Sequence, residues 1–201
     1  MFEKINKPIS PISIKKYLFN EMLILFILFI LVLIIMSKKT NSTNVTKPVS
    51  AIAVLEGPVK GTVRFVEEYS KVKISVDISG LKPNRKHGFH VHEAGDLTDG
   101  CTSACAHFNP FGTTHGGPDS KMRHVGDLGN ILADKNGKAK YSFYDSMIKL
   151  RGKCNVIGRA IVIHADTDDL GLGGNAESLK TGNAGKRIAC AVIGYSKENF
   201  S

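Results

Sequence analysis

The chain has 201 residues, twenty glycines, no tryptophan and a formal charge of +9, which suits one ordinary domain with an appendage. Seven lysines and two glutamates precede residue 50, a charge of +5, so the remainder carries only +4. That split argues against a nucleic-acid-binding domain, since no basic stripe interleaved with aromatics accompanies the excess.

The first predicted element is apolar. Residues 22–36, MLILFILFILVLIIM, are fifteen consecutive apolar residues with Lys4, Lys7, Lys15 and Lys16 before them and Lys38 and Lys39 after. A spanning helix needs about 17–25 residues, and Leu18 and Phe19 extend the run past Asn20 and Glu21. The following SKKTNS lacks the small-residue cleavage site of a secretory signal. An uncleaved signal anchor (residues 22–37 behind a basic tail, 1–21) is therefore favoured over a cleaved signal. The polar linker 38–49 carries the glycosylation sequons Asn41-Ser42-Thr43 and Asn44-Val45-Thr46, and Asn199-Phe200-Ser201 ends the chain. With more lysine before the run than after it, these features place the domain, 50–201, outside the cytosol, on a membrane or secreted.

That domain reads as strands. In KVKISVDI, 71–78, Val72, Ile74, Val76 and Ile78 alternate with Lys71, Lys73, Ser75 and Asp77, the pattern of a half-buried strand. Ile52–Leu55 and Val63–Val66 look like its neighbours. In HGFHVH, His90 and His92 share one strand face and Val91 takes the other. Asn136-Gly137 signals a hairpin, followed by Ala139, Tyr141 and Phe143 alternating with polar residues. Val156–His164 and Ile188–Tyr195 are further apolar strands. Short strands with turn punctuation and no helix predict an all-β, antiparallel Greek-key barrel or sandwich. Residues 93–127 and 165–186 lack strand patterning. Loops of such length are functional or disordered, so something must order them.

The histidines offer that something. His107, His115 and His124 are spaced by eight and nine residues in a glycine-bearing loop, and Asp127 follows. Three imidazoles and a carboxylate complete a tetrahedral zinc shell with no place for water; scattered polar loop histidines are the bland alternative. His90 and His92, with His164 at the end of AIVIH, suit an open site for copper, zinc, iron or nickel. The four cysteines allow three pairings, and Cys101-x-x-x-Cys105 has the wrong spacing for a redox pair.

The segment GFHVHEAGD…GCTSACAHFNPFGTTHGGPDSKMRHVGDLGN, with DDLGLGGN and TGNAGKRIACAVIG, closely resembles copper–zinc superoxide dismutase over roughly residues 50–196. The resemblance implies an eight-stranded barrel and an enzyme converting superoxide to dioxygen and hydrogen peroxide, with one copper and one zinc per subunit. It implies copper on His90, His92, His107 and His164, and zinc on His107, His115, His124 and Asp127, with His107 bridging the two. Asp168 would link a copper and a zinc histidine. Arg187 would anchor the anion beside the copper and His107 would carry a proton, which makes these two the catalytic residues. Cys101–Cys190 would form the family's disulfide, leaving Cys105 and Cys154 as free thiols or a second bridge. His87 is left for a hydrogen-bonding role, and Lys180 and Lys186 for the attracting field. A homodimer is implied, as is a copper chaperone as a partner, with the membrane reached through the N-terminal segment. The chain departs from the pattern at Ala94, Ala176 and Tyr195.

Overall fold

The computed structural model describes residues 11–40 and 48–200, with the side chains of the first stretch described over 19–34. The sequons at Asn41 and Asn44, the linker around them and the lysines at 4 and 7 lie outside the described residues. The chain divides into two compact units, Met1–Thr46 and Lys47–Ser201.

The first unit contains helix α1, Pro11–Thr40. Its apolar side chains from Phe19 to Ile34 are exposed throughout. Residues 19–34 rise about 24 Å as a helix, short of the roughly 30 Å hydrocarbon layer. Among the described residues no helix is long and apolar enough to cross a membrane.

The second unit is all-β. Strands β1 (Ser50–Leu55), β2 (Lys60–Glu68), β3 (Lys71–Ser79) and β6 (Ala139–Asp145) join the two-residue β9 (Gly194–Tyr195) in one sheet, ordered β6-β3-β2-β1-β9. Strands β4 (Lys86–His92), β5 (Asp127–Leu132), β7 (Ala160–His164) and β8 (Arg187–Val192) form the other, ordered β5-β4-β7-β8. All pairings of these strands are antiparallel. Alternation does the sorting. Val72, Ile74, Val76 and Ile78 of β3 face Val63 and Phe65 of β2 and Phe89 and Val91 of β4 in one continuous core. That core lies wholly within residues 51–193.

Four details differ from the sequence expectation. The strand expected over Ile188–Tyr195 breaks at Ile193: Arg187–Val192 pairs with β7, then Gly194 and Tyr195 cross to pair with Ile52 and Ala51 of β1. The barrel therefore has nine strands among the described residues rather than eight, the last two being one strand that changes sheets. Asn136-Gly137 makes a tight turn, closed by Gly137 N on Asp134 O (3.0 Å) and Asp134 N on Lys138 O (2.8 Å), but no ladder continues from it, because β5 pairs with β4 while β6 pairs with β3. Only Gly137 has positive φ there, +71°, whereas a type I′ hairpin needs both central residues so. The strand expected from Val156 begins only at Ala160, after Gly158 with φ +85°. The long loops, 93–126 and 165–186, each hold one short helical turn, Thr102–Ala104 and α2 (Ser178–Thr181).

At the C-terminal end, Asn199 of the third sequon is tied to the barrel. Its Oδ1 accepts from Ser50 N (2.9 Å) and its Nδ2 donates to the carbonyls of Ser50 and Ser196 (2.5 and 2.8 Å). The amide that a glycan would need is already committed.

The first loop is fixed by an ion pair that no sequence pattern announces. Arg123 is buried; its Nη1 donates to Asp127 O (2.5 Å) and its Nη2 pairs with the buried Asp145 at the end of β6. Asp145 also accepts the backbone N–H groups of Met147 and Ile148. Removing one partner of a buried ion pair strands the other charge, at a cost of about 3–5 kcal/mol. Arg123→Ala is therefore expected to lower domain stability by about that much in urea titration; a change no larger than for an exposed-site control such as Lys71→Ala would contradict this account.

Candidate metal centre

The outward face of β4 carries the histidines. Phe89 and Val91 point into the core, and His90 and His92 point away from it, yet both are fully buried because the two long loops cover that face. Gly88 lies on the same face. A Cβ there would sit 2.7 Å from the Ala184 Cβ and 3.2 Å from His90 Cε1, so the bare backbone leaves room for the ring. His107 joins β4 through an isolated bridge with His92, and His164 ends β7, whose Val162 pairs with His90.

Each ring has one nitrogen engaged and turns the other inward. His90 Nε2 donates to Asp168 Oδ2 (2.7 Å), His92 Nδ1 to Cys105 O (2.8 Å) and His164 Nδ1 to Gly185 O (3.0 Å). His107 Nδ1 lies 2.8 Å from Asp127 Oδ1. The nitrogens left over belong to one cluster: His92 Nε2 and His164 Nε2 are 3.4 Å apart, and one donor atom from each of the four residues lies within 4.8 Å of the others. His90 Nδ1 and His107 Nε2 are buried with no hydrogen-bond partner. Orphaned buried acceptors are costly in a native interior, and inward-facing lone pairs on imidazoles form a metal-ligand set.

The second set adjoins the first through His107. Asp127 Oδ1 lies 2.8, 3.0 and 3.1 Å from the Nδ1 atoms of His107, His115 and His124. Four donors in a tetrahedron around zinc would be about 3.3 Å apart, from zinc–nitrogen distances near 2.0 Å. The arrangement thus fits that ion closely. Asp127 Oδ2 is held by the backbone N–H groups of Gly116 (3.1 Å) and His124 (2.8 Å).

Asp168 connects the two sets, with Oδ2 on His90 and Oδ1 on His115 Nε2 (2.8 Å). Gly182, at φ +67°, makes this contact possible: a Cβ there would fall 1.9 Å from Asp168 Oδ1 and 2.5 Å from His115 Nε2. Asn130 on β5 holds the aspartate's backbone from both sides, accepting from Asp168 N and donating to Asp168 O, each at 2.8 Å. Neither Arg123 nor Asn130 stands out in the sequence, because an arginine or an asparagine carries no periodic signal.

Arg187, at the start of β8, donates Nη1 to Cys101 O (2.5 Å) and Thr102 O (3.1 Å), and Nη2 to Cys105 O (2.5 Å). The Cys101–Cys190 disulfide fastens the same loop to β8. It closes 89 residues of chain, a constraint worth about 4–5 kcal/mol in the chain-entropy account. Cys105 and Cys154 are free thiols. A channel of about 820 Å³ opens above the rings, lined by His92, His107, His164, Arg187, Lys180 and Glu177 among others; Lys186 does not line it. His87 Nδ1 donates to His164 O (2.8 Å).

An antiparallel barrel whose outer sheet carries two histidine-built donor sets sharing one imidazole defines a two-centre metalloprotein. A family model for copper/zinc superoxide dismutase matches residues 59–193. A Cu-Zn superoxide dismutase from Paramecium bursaria Chlorella virus 1 is 96% identical over 155 residues, covering 77% of this chain and 83% of the relative. That of Saccharomyces cerevisiae is 56% identical over 152 residues, 74% of this chain and 99% of the relative. A solved structure described as the clock protein EA4 superposes with TM-score 0.72 at 46% identity, over 75% of this chain and 97% of that one. The chain belongs to the copper/zinc superoxide dismutase family.

Burial sets the charge state of the rings. Desolvation, then repulsion from His107, pushes His90 down to about 3, and the same pair of causes pushes His92 down to about 2. His164 falls to about 4, mainly by burial. His115 goes the other way: burial opposes its charge, but hydrogen bonds to Asp127 and Asp168 outweigh it and raise it to about 9. Asp168 is held down to about 2; burial resists, and the hydrogen bonds from His115 and His90 prevail. The three depressed histidines bind protons in the unfolded chain below about pH 6.5 and in the folded one only near pH 2–4. Their linkage removes stability as pH falls through that window. His115, raised to about 9, is already protonated in the folded chain, whereas the unfolded one gains that proton only as pH falls through about 6.5, so it opposes part of that loss. Metal-free protein is therefore expected to lose at least about 3 kcal/mol between pH 7.5 and 5 in urea unfolding. An unchanged or higher midpoint at pH 5 would refute the burial-driven assignment.

Proposed function

We propose that the domain dismutates superoxide using copper held by His90, His92, His107 and His164, beside zinc held by His107, His115, His124 and Asp127. The observation that carries this reading is the shared ring. His107 turns Nδ1 to the Asp127 set and its unpartnered Nε2 to the other, so one side chain serves both sets. Two superoxide anions and two protons become dioxygen and hydrogen peroxide. Copper, when bound, supplies the one-electron exchange in both directions; zinc, which has no redox chemistry, keeps the loop in place.

The remaining work falls to the chain itself. His90, His92 and His164 are neutral at physiological pH and keep fixed tautomers, because each donates its other N–H to a fixed acceptor. Arg187 binds the incoming anion at the channel wall. Three carbonyl partners hold its guanidinium plane, so little side-chain freedom is lost on binding. His107 Nε2 holds a proton during one half of the cycle and releases it to product in the other. Lys180 on the channel rim attracts the anion, with Glu177 beside it as the opposing charge. Ala176 lends no acid to this loop.

Wild-type domain is expected to bind one copper and one zinc per chain and to remove superoxide. His164→Ala is expected to retain zinc while losing copper and at least about a hundredfold of the rate, the usual penalty of disturbing a metal site being about 10–100-fold even for outer partners. Bound copper and zinc without turnover in the wild type would instead favour a metal-holding module. Attraction by Arg187 and Lys180 also predicts a rate that falls as salt shortens the Debye length; a flat salt profile would remove the steering role.

The family's usual pairing of chains has a physical counterpart here. The exposed apolar side chains Val54 and Tyr195 come from the paired strands β1 and β9, and Val192 ends β8, the edge strand of the other sheet that packs beside β1 and runs on into β9; we assign a homodimer contact to them. We assign the apolar run 22–36 of α1 to a bilayer, as an anchor for a domain on the extracytoplasmic side, on the ground that fifteen consecutive apolar residues leave that stretch no polar face for water; the flanking helical residues Leu18 and Phe19 would have to add to its reach.

A further inference from the structure

The positive charge of the domain is not spread evenly. Residues 81–86 and 133–138 form two loops at one end of the barrel. Leu81 N donates to Gly137 O (3.1 Å), Asn84 N to Asp134 O (3.0 Å) and Ala133 N to Arg85 O (2.9 Å). This stitching brings Lys82, Arg85 and Lys86 beside Lys135 and Lys138, all of them exposed. None of the five is in an ion pair among the described residues. The one acid of the two loops, Asp134, spends its Oδ1 on the backbone N–H groups of Asn136 (2.7 Å) and Lys138 (2.8 Å). Five cations and one acid make +4, which equals the net charge of residues 50–201. Everything else in the domain cancels.

Apolar surface lies next to this charge. Leu132 is 54% exposed and Tyr141 38%, and together with Ala133, Asp134, Lys138 and Lys140 they line a shallow cavity of about 380 Å³. The Tyr141 hydroxyl accepts from Leu132 N (3.0 Å), which fixes the ring at the surface. Lys140 is paired with Asp77 and adds little charge.

We propose that this end of the barrel docks on an anionic lipid surface. Lysines and arginines attract a negatively charged leaflet from within a Debye length. Their aliphatic stems, with Leu132 and the Tyr141 ring, settle at headgroup level while the charged ends stay wet. Nucleic acid fits less well: it would use the cations, but a stacking platform needs successive rings, and this surface offers one ring and a leucine. None of the five cations lines the channel above the histidines, so docking here leaves that channel open. The proposal rests on neither the placement of α1 in a bilayer nor the dismutase reading.

The test uses residues 47–201, which contain a complete core, with sedimentation of vesicles of phosphatidylcholine alone or of phosphatidylcholine and phosphatidylserine. The domain is expected to sediment with the mixed vesicles at low salt, less at physiological salt, and not with neutral ones. Each cation near an anionic leaflet is worth about fivefold in partitioning, so the K82E/K86E/K135E variant is expected to lose about a hundredfold or more. A variant with the same number of reversals elsewhere, K71E/K153E/K197E, is expected to keep most of the binding. Wild-type circular dichroism and urea-unfolding midpoints in both variants report that they are folded. The proposal is overturned by absence of binding to the mixed vesicles, by equal binding to neutral ones, by equal losses in the two variants, or by a domain that holds duplex DNA and ignores both vesicle types.

Discussion

The His107 imidazole is the constraint on which the rest of the domain turns. Its two nitrogens face two different donor sets, so the ring must be held in position and in rotation, to within the tolerance of both. A surface loop cannot do that alone. The chain solves the problem by bridging His107 to the end of β4, where His92 is already fixed by the sheet, and by bringing Asp127, the first residue of β5, to Nδ1. The loop between these strands is long, yet both of its ends are anchored in adjacent strands of the same sheet. Its length is spent on carrying His115 and His124 over the outer face.

Holding so many polar rings in an interior requires satisfying one side of each. The partners are of two kinds. Backbone carbonyls of Cys105 and Gly185 take the N–H of His92 and His164, and carboxylates take those of His90 and His115. The difference matters for charge. In the metal-free chain, rings backed by carbonyls, or crowded against other rings, stay neutral, whereas His115, between two carboxylates, holds a proton. Zinc on that set would replace the proton, because a ligating imidazole must be neutral. The site is therefore not a uniform patch of histidine but two clusters side by side, one of rings alone and one that includes a carboxylate, separated by the thickness of one ring. Neutral lone pairs suit an ion that must exchange electrons, and a carboxylate-bearing set suits one that must only stay.

Much of this was legible in the sequence because the motifs carry geometry with them. The period-2 spacing of His90, Val91 and His92 on a strand already says which two rings share a face, and the structure obeys it. The clean alternation of 71–78 likewise gives β3 and its buried face. What the sequence did not show was relationships between distant backbone segments. The Asn136-Gly137 turn looks like a hairpin locally; that its arms part into different sheets depends on β3 and β4, many residues earlier. The break at Ile193 is invisible in an unbroken apolar run. Asn130 and Arg123 are placed by tertiary hydrogen bonds to Asp168 and Asp127, for which no spacing rule exists. The apolar run at 22–36 announces a helix plainly, whereas its solvent is a property of its surroundings rather than of its residues.

The two long loops are fastened by chemically different devices, and the division follows what each must withstand. The loop before β5 is tied by a covalent bridge to β8, by the buried Arg123–Asp145 pair to the other sheet, and by Asp127. The loop before β8 is tied by Asp168, whose backbone Asn130 grips and whose carboxylate touches one ring from each donor set. Among the described residues the second fastening has no covalent or independent ionic backup, and it passes through the very rings that the donor sets use. Order in the channel wall formed by 165–186 is thus coupled to order in the histidines beneath it. Arg187 closes the circuit: it begins the strand that follows this loop, yet its guanidinium is held by carbonyls of the other loop. The Arg187 guanidinium is positioned at the channel wall only where both loops are in place, so the same contacts that assemble the donor sets also assemble the entrance to them.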